Sequence, residues 1–255
     1  MRTIFLLVSV AVVIFTGFQS ACAQDSPAST PPVKPVAGQP WTNSLGVKFV
    51  PAGTDGVLFS IWDVRVKDYA AFVKETGHDW PEIGMTQTEN DPAVNVSWDD
   101  AHAFCDWLTK KEQAAGWLAS NQKYRLPTDA EWSKAAGLNE SNGTPKDKDQ
   151  RVRVFPWGPQ WPPPQGAGNF AEGGSTGTTP VGSFAANQYG LYDMGGNVWQ
   201  WCEDTYDTGD DRRVLRGASW SDSDLDTLLL SCRDDADPGR RVVNCGFRVV
   251  VAVSP

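Results

Sequence analysis

Apolar positions along this 255-residue chain change their period several times, and each change marks an element. The first is a single apolar run from Ile4 to Phe15, behind the basic Met1-Arg2-Thr3 and ahead of Ser20-Ala21-Cys22-Ala23. A bilayer span needs about 20 apolar residues, so this run is short for one. The small residues ending at Ala23 fit a cleavage site, and residues 1–23 read as a secretory signal. Acylation of Cys22 as a lipid anchor is the competing reading, weakened by the polar Gln19 upstream. Residues 24–40 (QDSPASTPPVKPVAGQP) hold almost no large apolar side chain. They cannot bury enough surface to offset their ordering entropy and are expected to form a disordered, extended tether. One domain, residues 41–255, follows.

Within that domain three helices are predicted. Residues 64–76 place Tyr69, Phe72 and Val73 at helical spacing, and Gly77 closes the run. The second helix begins after Ser97, with Asp100 placed for the reciprocal capping bond. It carries Trp98, Ala101, Phe104, Cys105 and Leu108 as one apolar stripe. Thr128 and Glu131 form a second capping box, and Trp132 begins the buried face of the third helix. From Asn139 to Thr179 the periodicity is lost in a polar, Gly/Pro-rich stretch that includes Trp161-Pro162-Pro163-Pro164, expected as ordered loop. Short strands are predicted at 181–184, 197–202, 213–217 and 246–253. The last is mostly apolar, as a buried strand would be.

Composition narrows the partners. A net charge of −9 and a pI near 4.7 argue against nucleic acid or an anionic membrane surface, which require clustered Lys and Arg. Twelve Trp beside 24 Gly and 18 Pro indicate a loop-rich domain filled by aromatic plates. Cys105, Cys202, Cys232 and Cys245 follow the signal; an even number in an oxidising compartment predicts disulfides of open connectivity. No C-x-x-C spacing and only two histidines speak against zinc.

Seven local signatures occur in one order. They are Val94-Asn95-Val96-Ser97-Trp98, Tyr124-Arg125-Leu126-Pro127-Thr128-Asp129-Ala130-Glu131-Trp132, Phe155-Pro156-Trp157-Gly158, Tyr189-Gly190-Leu191-Tyr192-Asp193-Met194, Gly196-Asn197-Val198-Trp199-Gln200-Trp201, Arg216-Gly217-Ala218-Ser219-Trp220 and Gly246-Phe247-Arg248. The series resembles the formylglycine-generating, or sulfatase-modifying factor, family over residues 41–255. The resemblance implies an α+β, C-type-lectin-like fold with low regular secondary structure.

In active relatives a cysteine pair holds Cu(I) and oxidises a cysteine in a C-x-P-x-R sulfatase sequence. The resemblance puts that pair two and seven residues beyond Trp220, where this chain has Asp222 and Thr227. Hard oxygen donors suit Cu(I) poorly, so copper and the oxidase activity are not implied here. Cys105 and Cys232 match structural cysteines of relatives, but Ala136 and Val249 stand where their partners would be. The iron-dependent branch of the family uses histidines from a further domain; His78 and His102 read as packed or solvated. Ser219 is in no nucleophile elbow, and Asp234, Asp235 and Asp237 read as a solvated turn. Relatives also bind calcium at positions matching Asp193, Gly196, Val198 and Gln200, two side chains and two carbonyls, which implies a structural calcium. A second family calcium site matches only at Asn169 and Phe170. The expected function is an exported, non-catalytic binding or accessory module with a groove lined by Trp and acidic residues, taking a peptide, protein or glycan. The alternatives are an oxidase using rearranged thiols and a copper-independent enzyme working near Asp222.

Overall fold

Three very short strands open the domain in the computed structural model, which describes residues 32–140, 142–150 and 152–253. β1 (Trp41–Thr42), β2 (Lys48–Pro51) and β3 (Val57–Ser60) pair antiparallel in chain order, with Trp41 opposite Phe49 and Val50 opposite Phe59. α1 (Val66–Thr76) and α2 (Trp98–Ala114) follow. Then come β4 (Lys123–Arg125), α3 (Asp129–Ala135) and α4 (Pro145–Lys148). After a long loop with one 3-10 turn (Ala171–Gly173) the chain forms β5 (Trp199–Thr205), β6 (Arg213–Arg216), β7 (Arg233–Ala236), β8 (Cys245–Gly246) and β9 (Val250–Ala252).

Two sheets result. The first has the order β1-β2-β3-β9-β4, all antiparallel, so the last strand is inserted between two early ones and Val251 lies opposite both Leu58 and Tyr124. The second has the order β7-β6-β5-β8, with only β5 and β8 parallel. All four residues of β3 are buried because the first sheet is covered on both faces. Alternation along the strand sends Leu58 into a core with Phe49, Tyr69, Phe104 and Phe247, and Phe59 into another with Trp132, Leu191 and Val214. Two small sheets, few helices and long loops make the α+β, C-type-lectin-like architecture expected from the sequence.

Local signals fixed the helix starts. Ser97 accepts from the Asp100 N–H while the Asp100 carboxylate accepts from the Ser97 N–H, and Thr128 and Glu131 do the same. Gly77, at φ +73°, closes α1 through a bond to the Val73 carbonyl at 2.8 Å.

Elsewhere the structure differs. Residues 181–184 form no strand. The apolar run 246–253 is split, because Phe247 and Arg248 cross from the second sheet to the first. Asp234 and Asp235 are not turn residues but lie in β7, opposite Leu215 and Val214. Of the expected tether, residues 32–40 are described; they form no regular element, yet Pro35 is buried and its carbonyl accepts from Gln122 Nε2 at 2.9 Å. Trp41 Nε1 also donates to the Val33 carbonyl at 2.7 Å, and the compact unit begins at Pro32. The signal reading of residues 1–23 and the rest of the tether lie outside the described residues.

Phe59 has no exposed surface. Phe59→Ala is expected to cost about 3–5 kcal/mol through lost burial and the cavity left behind, read as a lower urea midpoint at unchanged slope.

Candidate functional site

A buried charge cluster sets the back wall of the site. Asp129, at the first turn of α3, accepts from Arg216 and from Arg233 Nε at 3.0 Å with one oxygen. Its other oxygen accepts from Lys148 Nζ at 2.5 Å and Arg233 Nη2 at 3.1 Å. Arg233 also reaches Glu140 at 2.6 Å, and Arg216 reaches the Leu230 carbonyl at 2.8 Å while lying over the Trp132 ring. Burial alone would raise the Asp129 carboxyl, but Arg216 and Arg233 outweigh it and hold the group well below the ordinary carboxylate range. Asp129 and Arg216 stand in two of the sequence signatures; Arg233 is in none, and nothing local marks the three as one cluster.

In front of Arg233 a cavity of about 460 Å³ opens on the second sheet. Trp199 and Leu215 line it beside Asp222, Thr227, Cys232 and Cys245, so the two positions singled out by the resemblance do face one space. Each is tied into its own turn. Asp222 accepts from the Ser219 N–H at 2.9 Å and its hydroxyl at 2.6 Å, and Thr227 makes long bonds of 3.4 Å to Asp224. Ser219 is fully buried, its hydroxyl spent on Asp222. The histidines are paired elsewhere: His78 Nε2 lies 2.8 Å from Asp100, and His102, packed on Trp98, lies 3.0 Å from Glu203.

The expected disulfides do not form. All four cysteines are free and buried. Geometry explains the cavity pair: Arg233, Arg216, Gln200 and Gly246 are partners in one row across four strands. Cys232 and Cys245 adjoin its two ends, three strand spacings or about 14 Å apart, whereas a bridge needs Cα atoms within about 7 Å. Cys105 and Cys202 belong to different core clusters. Burial pushes the Cys232 thiol up to about 12 and raises the other three as well, so these are packed thiols rather than thiolates. Two hard oxygens held in turns and two distant protonated thiols do not fit Cu(I).

The implied calcium residues come together around the turn 193–200. Asp193, at φ +55°, accepts from the Gly182 N–H at 2.7 Å, and the Gly196 carbonyl accepts from Val198 N at 2.9 Å. Gln200 is fully buried, with its amide directed at the Asp193 carbonyl. Of the second implied site, Asn169 donates to Gly177 and Asn197 and the Phe170 ring packs on Trp157.

A cavity on a small curled sheet, walled by loops and a buried charge cluster, defines a C-type-lectin-like scaffold of the formylglycine-generating type. The family model described as sulfatase-modifying factor enzyme 1-like domain matches residues 54–253, and the chain belongs to that family. It is 40% identical over 155 residues to the inactive C-alpha-formylglycine-generating enzyme 2 of Bos taurus, covering 56% of this chain and 43% of that protein. It is 36% identical over 154 residues to a formylglycine-generating enzyme of Thermomonospora curvata, covering 56% and 45%. The chain thus spans less than half the length of these relatives. Among solved structures, Treponema denticola variable protein 1 shares the fold at a TM-score of 0.61 and 24% identity, covering 86% of this chain and 100% of that one. PvdO from Pseudomonas aeruginosa does so at 0.62 and 21%, covering 86% and 99%.

Asp129→Ala would leave Arg216 and Arg233 buried without their shared partner and is expected to cost about 3–5 kcal/mol in urea unfolding. A second outcome concerns pH. Burial favours a raised Asp100 carboxyl, but Arg241, the Ser97 N–H and His78 hold it down to about 2 from the ordinary 3.8. A carboxyl lowered by folding contributes stability above its unfolded value and loses it as pH falls toward the folded one. Unfolding free energy should therefore drop between 3.8 and about 2, and Asp100→Asn should flatten that part of the curve.

Proposed function

We propose that this domain is an exported ligand-binding or accessory module of its family and not a formylglycine-generating oxidase. The observation that carries this is the chemistry facing the cavity: Asp222 and Thr227 line it, and both side chains are engaged within their own turns. Cu(I) binds soft thiolates and the reaction needs that ion to handle oxygen. The scaffold around the cavity is kept while its metal donors are replaced. The 40% identity to proteins named as inactive formylglycine-generating enzyme 2 supports the same reading.

The cavity suits binding on its own terms. Trp199, Leu215 and Val242 give it an apolar floor, and Asp234, Arg240 and Asn244 give it polar groups of both signs. A peptide, a protein loop or a glycan matches such a lining. Export is supported by the N-terminal pattern of residues 1–23. No helix among the described residues is long and apolar enough to cross a membrane.

The purified domain, given copper, oxygen and a C-x-P-x-R peptide, is expected to produce no aldehyde by hydrazide trapping; aldehyde formation would sink the proposal. Asp222→Cys combined with Thr227→Cys is expected to create a Cu(I) site that the natural chain lacks, measured by competition with a chromogenic chelator. For the binding half, fragment screening by crystal soaking should concentrate hits in this cavity, and Thr227→Trp should remove them without lowering Tm.

A further inference from the structure

The residues implied for calcium, Asp193, Gly196, Val198 and Gln200, gather around one side-chain amide, that of Gln200. Gln200 Oε1 accepts from Trp132 Nε1 at 2.8 Å and from Arg248 Nε at 2.7 Å. Indole and guanidinium nitrogens only donate, so the orientation of this amide is set by its partners; a flip would face N–H against N–H twice. Its nitrogen is therefore the atom that faces the Asp193 carbonyl, at 2.7 Å. A cation joining Asp193 to residue 200 would need oxygen ligands at about 2.3–2.6 Å on both sides. At residue 200 it meets an N–H instead, because the amide oxygen is already occupied by two donors.

Two of the remaining implied oxygens are engaged too. One Asp193 carboxylate oxygen accepts from Gly182 and the Gly196 carbonyl accepts from Val198. Beside them lies a cation that belongs to the chain. The fully buried Arg248 donates to the Ser60 carbonyl at 3.0 Å and the Tyr192 carbonyl at 2.7 Å, and reaches the Asp193 carbonyl at 3.5 Å. Asp63, also fully buried, stands 3.5 Å from the same guanidinium, with neither carboxylate oxygen in a hydrogen bond. This guanidinium, with Asp63 as its counter-charge, already fills the space beside the Asp193 carbonyl.

We infer that the Gln200 amide and the Arg248 guanidinium take over the bridging that calcium would perform, so that the turn 193–200 is held without metal. The end of β3, the 192–193 loop and β5 are joined through N–H donors that the sequence itself supplies. This holds whether or not the cavity on the second sheet binds a ligand.

Thermal unfolding in EGTA and in millimolar calcium chloride tests it on the unaltered chain. The same Tm is expected in both, with no saturable terbium luminescence sensitised by Trp132 or Trp199. Gln200→Glu supplies the comparison: its carboxylate can still accept from Trp132 and Arg248, but it presents an oxygen to the Asp193 carbonyl. This variant is expected to lose Tm in EGTA and regain it with calcium. A calcium-dependent rise of about 5 °C or more in the unaltered chain, or terbium emission that calcium displaces, overturns the inference. A well-folded Gln200→Glu variant indifferent to calcium overturns the role assigned to the amide.

Discussion

The pairing of Asp129 with two arginines is the constraint on which the rest of this domain depends. Three charged side chains with at most 2% of their surface exposed meet here, each arginine within hydrogen-bond distance of the aspartate. Burying any one alone would cost far more than packing returns, so the fold has to bring all three together. Because they come from α3, β6 and β7, their meeting fixes the second sheet against the third helix. Glu140 in the loop after α3 and Lys148 at the end of α4 extend the same requirement. In a domain with so little regular backbone pairing, this cluster does what a longer sheet would otherwise do.

The cavity inherits its shape from that arrangement, since Arg233 belongs to both. Its shape and its chemistry have separate origins. Strand register and the charge cluster set the space; the loop after β6 adds Asp222 and Thr227 to its lining. Asp222 and Thr227 offer that space hard oxygens, which suit Cu(I) poorly. Family membership does not by itself carry family chemistry, because function rests on a site grafted onto a fold.

The same substitution of one kind of support for another recurs at the cysteines and at Gln200. Four thiols are packed as small apolar groups in place of bridges. Around Gln200, neutral and cationic N–H donors satisfy the carbonyls of a tight turn. Both solutions depend on complete burial, because a half-exposed amide or thiol would be satisfied by water and would hold nothing in place.

How much of this was legible depended on distance along the chain. Ser97 with Asp100 and Thr128 with Glu131 act within one helical turn, so the starts of α2 and α3 were readable from four residues each. The order of the signature segments was readable as well, and with it the positions Asp222 and Thr227. Strands of two to four residues, such as β1, β2 and β4, carry too little alternation to be seen, and their pairing across the chain ends is visible only once folded. Disulfides were expected from an even count, but register keeps Cys232 and Cys245 apart. Gln200 shows the division most sharply. Its identity is a sequence fact; the direction of its amide is decided by Trp132 and Arg248, 68 and 48 residues away. The sequence alone determined which donors and acceptors the chain carries. Only the tertiary structure decided which of them meet, because that choice is made by burial between segments that share no local period.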